Sequence, residues 1–221
     1  MSNVIYWTDI VDFPDPAEEP VILDGLTPQM VDKILSLKQI ISRKQCLCSC
    51  LMQKYVAESH GKSVADIIIG EHGKPLLEGV HFNVSHSRNL VVCAVSDIPV
   101  GCDVERIKQA PLHLEKKYFH PEEISFRDEL SPDDSPDKAF FRLWCAKESY
   151  LKMTGEGLSF GLKNIKVCLT TNKLNRSLVF REGNILTDLP KEIFLPDYEN
   201  YVIFVCTNNR DFDPIIKHFS I

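Results

Sequence analysis

Apolar positions along this chain recur with two different periods, and each switch between them marks an element. Val4-Ile5-Tyr6-Trp7 is a short apolar run ahead of a proline- and acid-rich loop, which predicts an edge strand. From Thr27-Pro28 the spacing turns helical: Thr27 can cap, Pro28 suits the first turn, and Met30, Val31, Ile34 and Leu35 make one face. Ser42 is a second candidate cap, opening a helix in which Leu47, Leu51 and Tyr55 recur at four-residue spacing. Asp66–Gly70 reads as a short strand, and His72-Gly73-Lys74-Pro75 as a turn with a lysine at its tip. His81–Ser87 alternates so that Phe82 and Val84 face inward. Arg88-Asn89 then turns the chain into Leu90–Val95, an unbroken apolar run typical of a buried strand.

Val100-Gly101-Cys102-Asp103-Val104-Glu105 follows a Ser-Asp-Ile-Pro turn and reads as the second strand of a hairpin. Helical spacing is expected around Ala110–Phe119 and again from Pro121-Glu122-Glu123. An acidic, proline-punctuated loop from Leu130 to Lys138 leads into the strongest helix, from about Asp137 to Thr154. Phe140, Phe141, Leu143, Trp144, Tyr150 and Leu151 bury much of that helix's circumference, and Gly155-Glu156-Gly157 closes it. Several strands follow, among them Asn164–Leu169, Leu178–Phe180 and Tyr201–Cys206. Strands and helices are mixed without a parallel βαβ series, so the fold class is α+β.

Composition narrows the function more than the fold. With 221 residues, 44% hydrophobic and 25% charged, the chain has the make-up of an ordinary globular protein with a substantial core. Lys+Arg 25 against Asp+Glu 31 gives a net charge of −6, which argues against a general nucleic-acid binder. No apolar run is long enough for a bilayer and no signal-like start is visible, so no membrane association and a cytoplasmic location are expected. None of the eight cysteines forms C-x-x-C. Cys46, Cys48 and Cys50 alternate within a helical segment, where i and i+2 do not share a face, so packing thiols are expected rather than zinc or disulfides.

The candidate chemistry is acidic. In a strand Asp103 and Glu105 leave on one face, and hard oxygen pairs of this kind suit magnesium or calcium. A bare D-x-E is more often a solvated strand face. Glu148 and Lys152, four apart on the long helix, share a face, although such a pair is commonly a surface salt bridge worth only about 0.3–0.5 kcal/mol. If Asp103, Glu105 and Glu148 converge, they can hold one divalent cation, while Lys74, Ser85, His86 and Lys152 serve as donors to phosphate. A metal-dependent nuclease fits poorly, because no basic stripe accompanies the acids. No G-x-S-x-G or recognisable Ser-His-Asp spacing points to a hydrolase. The residues alone reach magnesium-dependent handling of a phosphate ester.

Five stretches, in order and rough spacing, make the chain resemble the Sfp-type 4'-phosphopantetheinyl transferases. They are Gly73-Lys74-Pro75, Phe82–Ser87, Val100–Glu105, Leu143–Lys152 and Gly155–Ser159. The likeness is clear over residues 73–160. It implies two similar α+β halves related by a pseudo-twofold, here residues 1–102 and 103–221, with coenzyme A in the cleft between them. It implies transfer of the phosphopantetheine arm of coenzyme A to a serine of an acyl or peptidyl carrier protein, by a cytoplasmic monomer. By the same resemblance Asp103, Glu105 and Glu148 bind Mg2+, Glu148 and Lys152 are catalytic, and Lys74, Ser85, His86, Asp103, Lys147 and Lys152 contact the coenzyme. Cys145 stands where the family usually has Ser or Thr. Arg43 and Lys44 lie near a family nucleotide contact without a clear register. The alternative is a non-catalytic module that binds coenzyme A or a carrier protein.

Overall fold

The computed structural model of the chain describes residues 3–127, 135–157, 160–169, 177–181, 184–186, 190–209 and 212–220. Most of the expected acidic loop and the end of the last resemblance stretch (Leu158 and Ser159) lie outside these residues. By contacts the chain divides into two units: Met1–Asp97 with Asp213–Ile221, and Ile98–Phe212. The join expected near Asp103 thus falls before Ile98 in contact terms, and the last nine residues go with the first unit.

The first unit is built on β1 (Val4–Asp9), α1 (Pro28–Ser36), α2 (Ile40–Ser59), β2 (Ile68–Ile69), β3 (Pro75–Leu76), β4 (His81–Ser87) and β5 (Leu90–Ser96). The apolar run of β5 is buried at every position, as its composition requires. It pairs antiparallel with β4 on one side and β1 on the other, with His86 opposite Val91 and Tyr6 opposite Cys93. β1 is not an edge strand. Ile215–His218 returns as the last strand and pairs parallel to it, so the sheet runs last strand, β1, β5, β4. That partner is too distant in sequence for any local pattern to announce it.

Thr27 caps α1 as expected, its Oγ1 accepting from Met30 N at 3.3 Å. The second helix begins at Ile40, ahead of Ser42, with Gln39 at its cap and no side-chain bond there. Arg43 explains the early start. Its guanidinium donates to Leu37 O (3.0 Å) and Lys38 O (3.1 Å), filling the carbonyls that follow α1, and pairs with Asp15. The buried stripe of α2 runs through Cys48, Met52 and Val56, whereas Tyr55 is exposed. These side chains pack on Phe82, Val91 and Cys93 from the sheet. Cys46, Cys48, Cys50, Cys93, Cys102, Cys145 and Cys206 are all free thiols. The expected strand at Asp66–Gly70 shortens to β2, because Val64–Asp66 forms a 3-10 turn capped by Ser63.

The second unit contains β6 (Val100–Arg106), α3 (Glu115–Tyr118), α4 (Pro121–Arg127), α5 (Pro136–Thr154), β7 (Ile165–Leu169), β8 (Ser177–Arg181), β9 (Asn184–Leu186), β10 (Pro190–Glu192) and β11 (Tyr201–Thr207). The remaining strand of the first unit is β12 (Ile215–His218). β6 is not the hairpin partner of β5. Both sides of β5 are already taken by β1 and β4, so β6 pairs with β11, in the order β10-β11-β6. β7, β8 and β9 form a separate antiparallel meander. The helix expected at Ala110–Phe119 is reduced to a 3-10 turn and α3. Pro111 stands at the cap of that turn, and the Ala110 N–H is spent on Asp137 Oδ1 at 2.9 Å.

α5 is the organising helix. Ser135 caps it by accepting from Lys138 N at 3.2 Å, and Gly155 ends it at φ 78 in the left-handed region. Phe140, Leu143, Cys145, Ala146 and Leu151 form one core with Phe204 and other residues of the sheet. The mixed content bears out the α+β class. Among the described residues no helix is long and apolar enough to cross a membrane.

Candidate active site

Alternation along β6 puts Gly101, Asp103 and Glu105 on one face. That face meets α5, because a Cβ built on Gly101 would overlap Ser149 O and Met153 N. Only glycine lets strand and helix backbones approach this closely. Two residues further along the strand, Asp103 lies under the same helix with 5% of its surface exposed, opposite Phe204 of β11. Glu105 is half-buried, near the solvent end of the same row.

The helix supplies the other half. Glu148 and Lys152 are one turn apart, with Cys145 preceding them by three and seven residues, so all three share a face. Lys152 Nζ donates to Asp103 Oδ1 at 2.6 Å. Burial alone would lower the Lys152 pKa, but the charge of Asp103 and its hydrogen bond outweigh it, and the net shift is upward. Lys152 is therefore a firmly held cation.

Glu148 is 8% exposed, and its Oε1 is a buried atom with no hydrogen-bond partner. Burial first, then the charges of Asp103 and Glu105, push its pKa from 4.5 to about 7, with Lys152 pulling the other way. The three carboxylates are thus close enough to act on one another. A carboxyl that titrates near neutrality and keeps one oxygen unbonded can accept a proton from a bound hydroxyl. Cys145 lies beneath the group, fully buried. Its thiol is held protonated by burial and by the negative charge of Asp103 and Glu105, and it contacts Val202 O at 3.7 Å.

The donor set of hard oxygens suits a divalent cation. In the geometry described, however, no three His, Cys, Asp or Glu residues among the described residues are gathered as a group that could hold a metal ion. Asp103, Glu105, Glu148 and Lys152 are therefore brought to one strand–helix face, with Lys152 supplying the counter-charge on Asp103.

Lys147 does not join them. It is fully buried, with its ammonium on Glu123 and Tyr118 O (3.3 Å) and 5.2 Å over the Phe119 ring, so it is not disposed as a coenzyme contact. Glu123 completes that network by accepting from His120 N (2.6 Å) and Val167 N (2.7 Å). The sequence held this signal: Lys147 interrupts the stripe Phe140, Trp144, Leu151, so its position on the helix is a core position. Cys145 could likewise have been read from its spacing to Glu148 and Lys152.

Lys74, Ser85 and His86 belong to the first unit. Lys74 is half-buried next to β3, Ser85 is buried in β4, and His86 is exposed beside it. Arg43 is committed to Asp15 and to two carbonyls, and Lys44 Nζ donates to Val11 O at 3.0 Å.

Residues 99–206 match the model of the 4'-phosphopantetheinyl transferase superfamily. A 4'-phosphopantetheinyl transferase of Bacillus subtilis is 34% identical over 173 residues, which are 73% of this chain and 72% of that protein. The chain belongs to this family. The 4'-phosphopantetheinyl transferase Sfp of Bacillus subtilis (strain 168) is 31% identical over 191 residues, 81% of this chain and 80% of that one. The 4'-phosphopantetheinyl transferase HetI of Nostoc sp. is 40% identical over 107 residues, 44% of each chain. The chain is an enzyme of this type, a 4'-phosphopantetheinyl transferase. The superfamily match spans β6, α5 and most of β11 and so contains all four residues of the strand–helix face.

Proposed function

We propose that the enzyme takes its phosphopantetheine from coenzyme A and transfers it to a serine hydroxyl of an acyl or peptidyl carrier protein, with Mg2+ held by Asp103, Glu105 and Glu148. The observation that carries this reading is Glu148, a buried carboxyl with an unbonded oxygen and a pKa of about 7, set beside an acid–lysine pair. In the transfer, the serine oxygen forms a bond to the phosphorus that carries the pantetheine arm. The bond from that phosphorus to the oxygen of the departing adenosine 3',5'-bisphosphate breaks. Glu148 takes the serine proton, for which its unbonded Oε1 is the acceptor. Lys152, held cationic, offsets charge on the phosphates as a fixed ammonium rather than as a proton donor. When bound, the metal supplies electrostatic stabilisation of the phosphoryl oxygens. Lys74, Ser85 and His86 serve as further phosphate contacts in this reading.

The test is conversion of an apo carrier protein with coenzyme A and magnesium, read by mass spectrometry as addition of phosphopantetheine. Conversion is expected with the native chain and its loss with Glu148→Gln. Coenzyme A binding with no transfer to any of a panel of carriers would instead establish a binding module. Full turnover by Glu148→Gln would remove Glu148 from the proton step.

A further inference from the structure

The hairpin that carries Ser85 and His86 turns on a residue with no part so far in the transfer. β4 ends at Ser87 and β5 opens at Leu90, paired with it, so Arg88-Asn89 is a two-residue turn. Arg88 holds φ 51, in the left-handed region, and Asn89 does not. A positive φ at the first central residue alone is the type II' pattern, and glycine is the residue suited to that place. Among the described residues Arg88 is the one non-glycine with a positive φ. An arginine there bears steric strain that glycine would relieve and asparagine would bear more easily.

The surroundings hold this turn in place. Gln45 Nε2 of α2 donates to Arg88 O at 2.8 Å, and Ile10 N, just past β1, donates to Asn89 O at 2.8 Å. Backbone strain of this kind persists where neighbouring bonds over-determine the conformation. The side chain has no such ties. Arg88 is exposed, and among the described residues its guanidinium makes no hydrogen bond, ion pair or ring contact. The cations close by on α2 are spent: Arg43 pairs with Asp15, and Lys44 Nζ donates to Val11 O.

We infer that Arg88 is a further phosphate-binding residue for the coenzyme A donor, an inference that rests on the reading of Ser85 and His86 as phosphate contacts. Two residues of extended chain span about 7 Å, so a phosphate that meets His86 is within an arginine's length of the Arg88 backbone. The guanidinium is a planar fork of five donors that matches phosphate oxygens in pairs. A hairpin that needed only to turn would close with less strain on glycine or asparagine at this position. The strained backbone is accounted for by what the side chain does.

Arg88→Gly tests this, because it removes the side chain and relaxes the turn together. The full chain is titrated calorimetrically with coenzyme A and with adenosine 3',5'-bisphosphate, and its melting temperature is recorded. The variant is expected to bind coenzyme A about tenfold more weakly, the worth of one charge-assisted hydrogen bond. It is expected to melt no lower than the wild type, relief of strain offsetting the looser unfolded chain. Loss against both ligands assigns Arg88 to the nucleotide's phosphates, and loss against coenzyme A alone to the phosphate that carries the pantetheine arm. Unchanged affinity for coenzyme A would overturn the assignment. Weaker binding together with a lower melting temperature would overturn it too, by making Arg88 a support of the fold. A wild-type chain that binds neither ligand would remove the donor reading itself, and this inference with it.

Discussion

Lys152 Nζ sits 2.6 Å from Asp103 Oδ1, so an ion pair joins α5 to β6 at the candidate site. The Asp103 side chain is 7% exposed and that of Lys152 is 30% exposed, which places the acid in the interior and the cation at its mouth. Removing the lysine strands a buried carboxylate. Lys152→Met is expected to lower unfolding free energy by about 1–3 kcal/mol, read from urea midpoints. Transfer to a carrier protein is expected to fall by about a hundredfold or more. An unchanged midpoint would show that Asp103 is held by something else.

Glu148 makes stability fall as pH rises. Its folded pKa of about 7 lies above the ordinary carboxyl value of 4.5, so the folded chain binds the extra proton between those values. The contribution is fully present below about pH 4.5 and gone above about pH 7. It amounts to about 3 kcal/mol as an upper bound. Glu148→Gln is expected to flatten this part of the stability–pH curve in metal-free buffer. Magnesium is expected to raise the melting temperature more at pH 8 than at pH 5, because it favours the ionised carboxyl. A wild-type curve that matches the Gln variant from pH 4.5 to 7 would mean that Glu148 titrates normally.

Lys147 and Glu123 form the structural counterpart of the site pair. With Lys147 removed, Glu123 keeps its two backbone donors but loses its counter-ion in the interior. Lys147→Met is expected to cost about 3–5 kcal/mol in denaturant unfolding. A double-mutant cycle with Glu123→Gln should show strong coupling. Additive single costs would show that the two charges stand independently.

Much of this site was legible along the chain, and the parts that were not have physical reasons. Glu148 and Lys152 follow from helix spacing, and Asp103 and Glu105 from strand alternation, since both periods are local. What pairs with what is not local: β6 reaches across nearly half the sequence to β11, and β1 across nearly all of it to β12. The α5 turn that carries Glu148 also carries Lys147, and only the surrounding apolar stripe tells that one faces Asp103 and the other the core. Caps resolved unevenly: Thr27 acts as read, whereas Ser42 is overtaken by the bonds that Arg43 makes to the end of the preceding helix segment.

Gly101 is the position with the least tolerance. Alanine there would drive its methyl into the backbone of α5 at Ser149 and Met153, and backbone cannot swing aside as a side chain can. Gly101→Ala is expected to lose at least about 3 kcal/mol of stability, and with it transfer activity. Native-like melting of this variant would show that α5 shifts freely on β6.

The parallel pairing of β1 with Ile215–His218 sets an order of events during synthesis. The first unit's sheet is finished only after every residue of the second unit has left the ribosome. Until then β1 presents an unsatisfied row of amides and carbonyls along one side. A nascent chain stalled before Ile215 is thus the form most exposed to strand-mediated aggregation and to capture by chaperones.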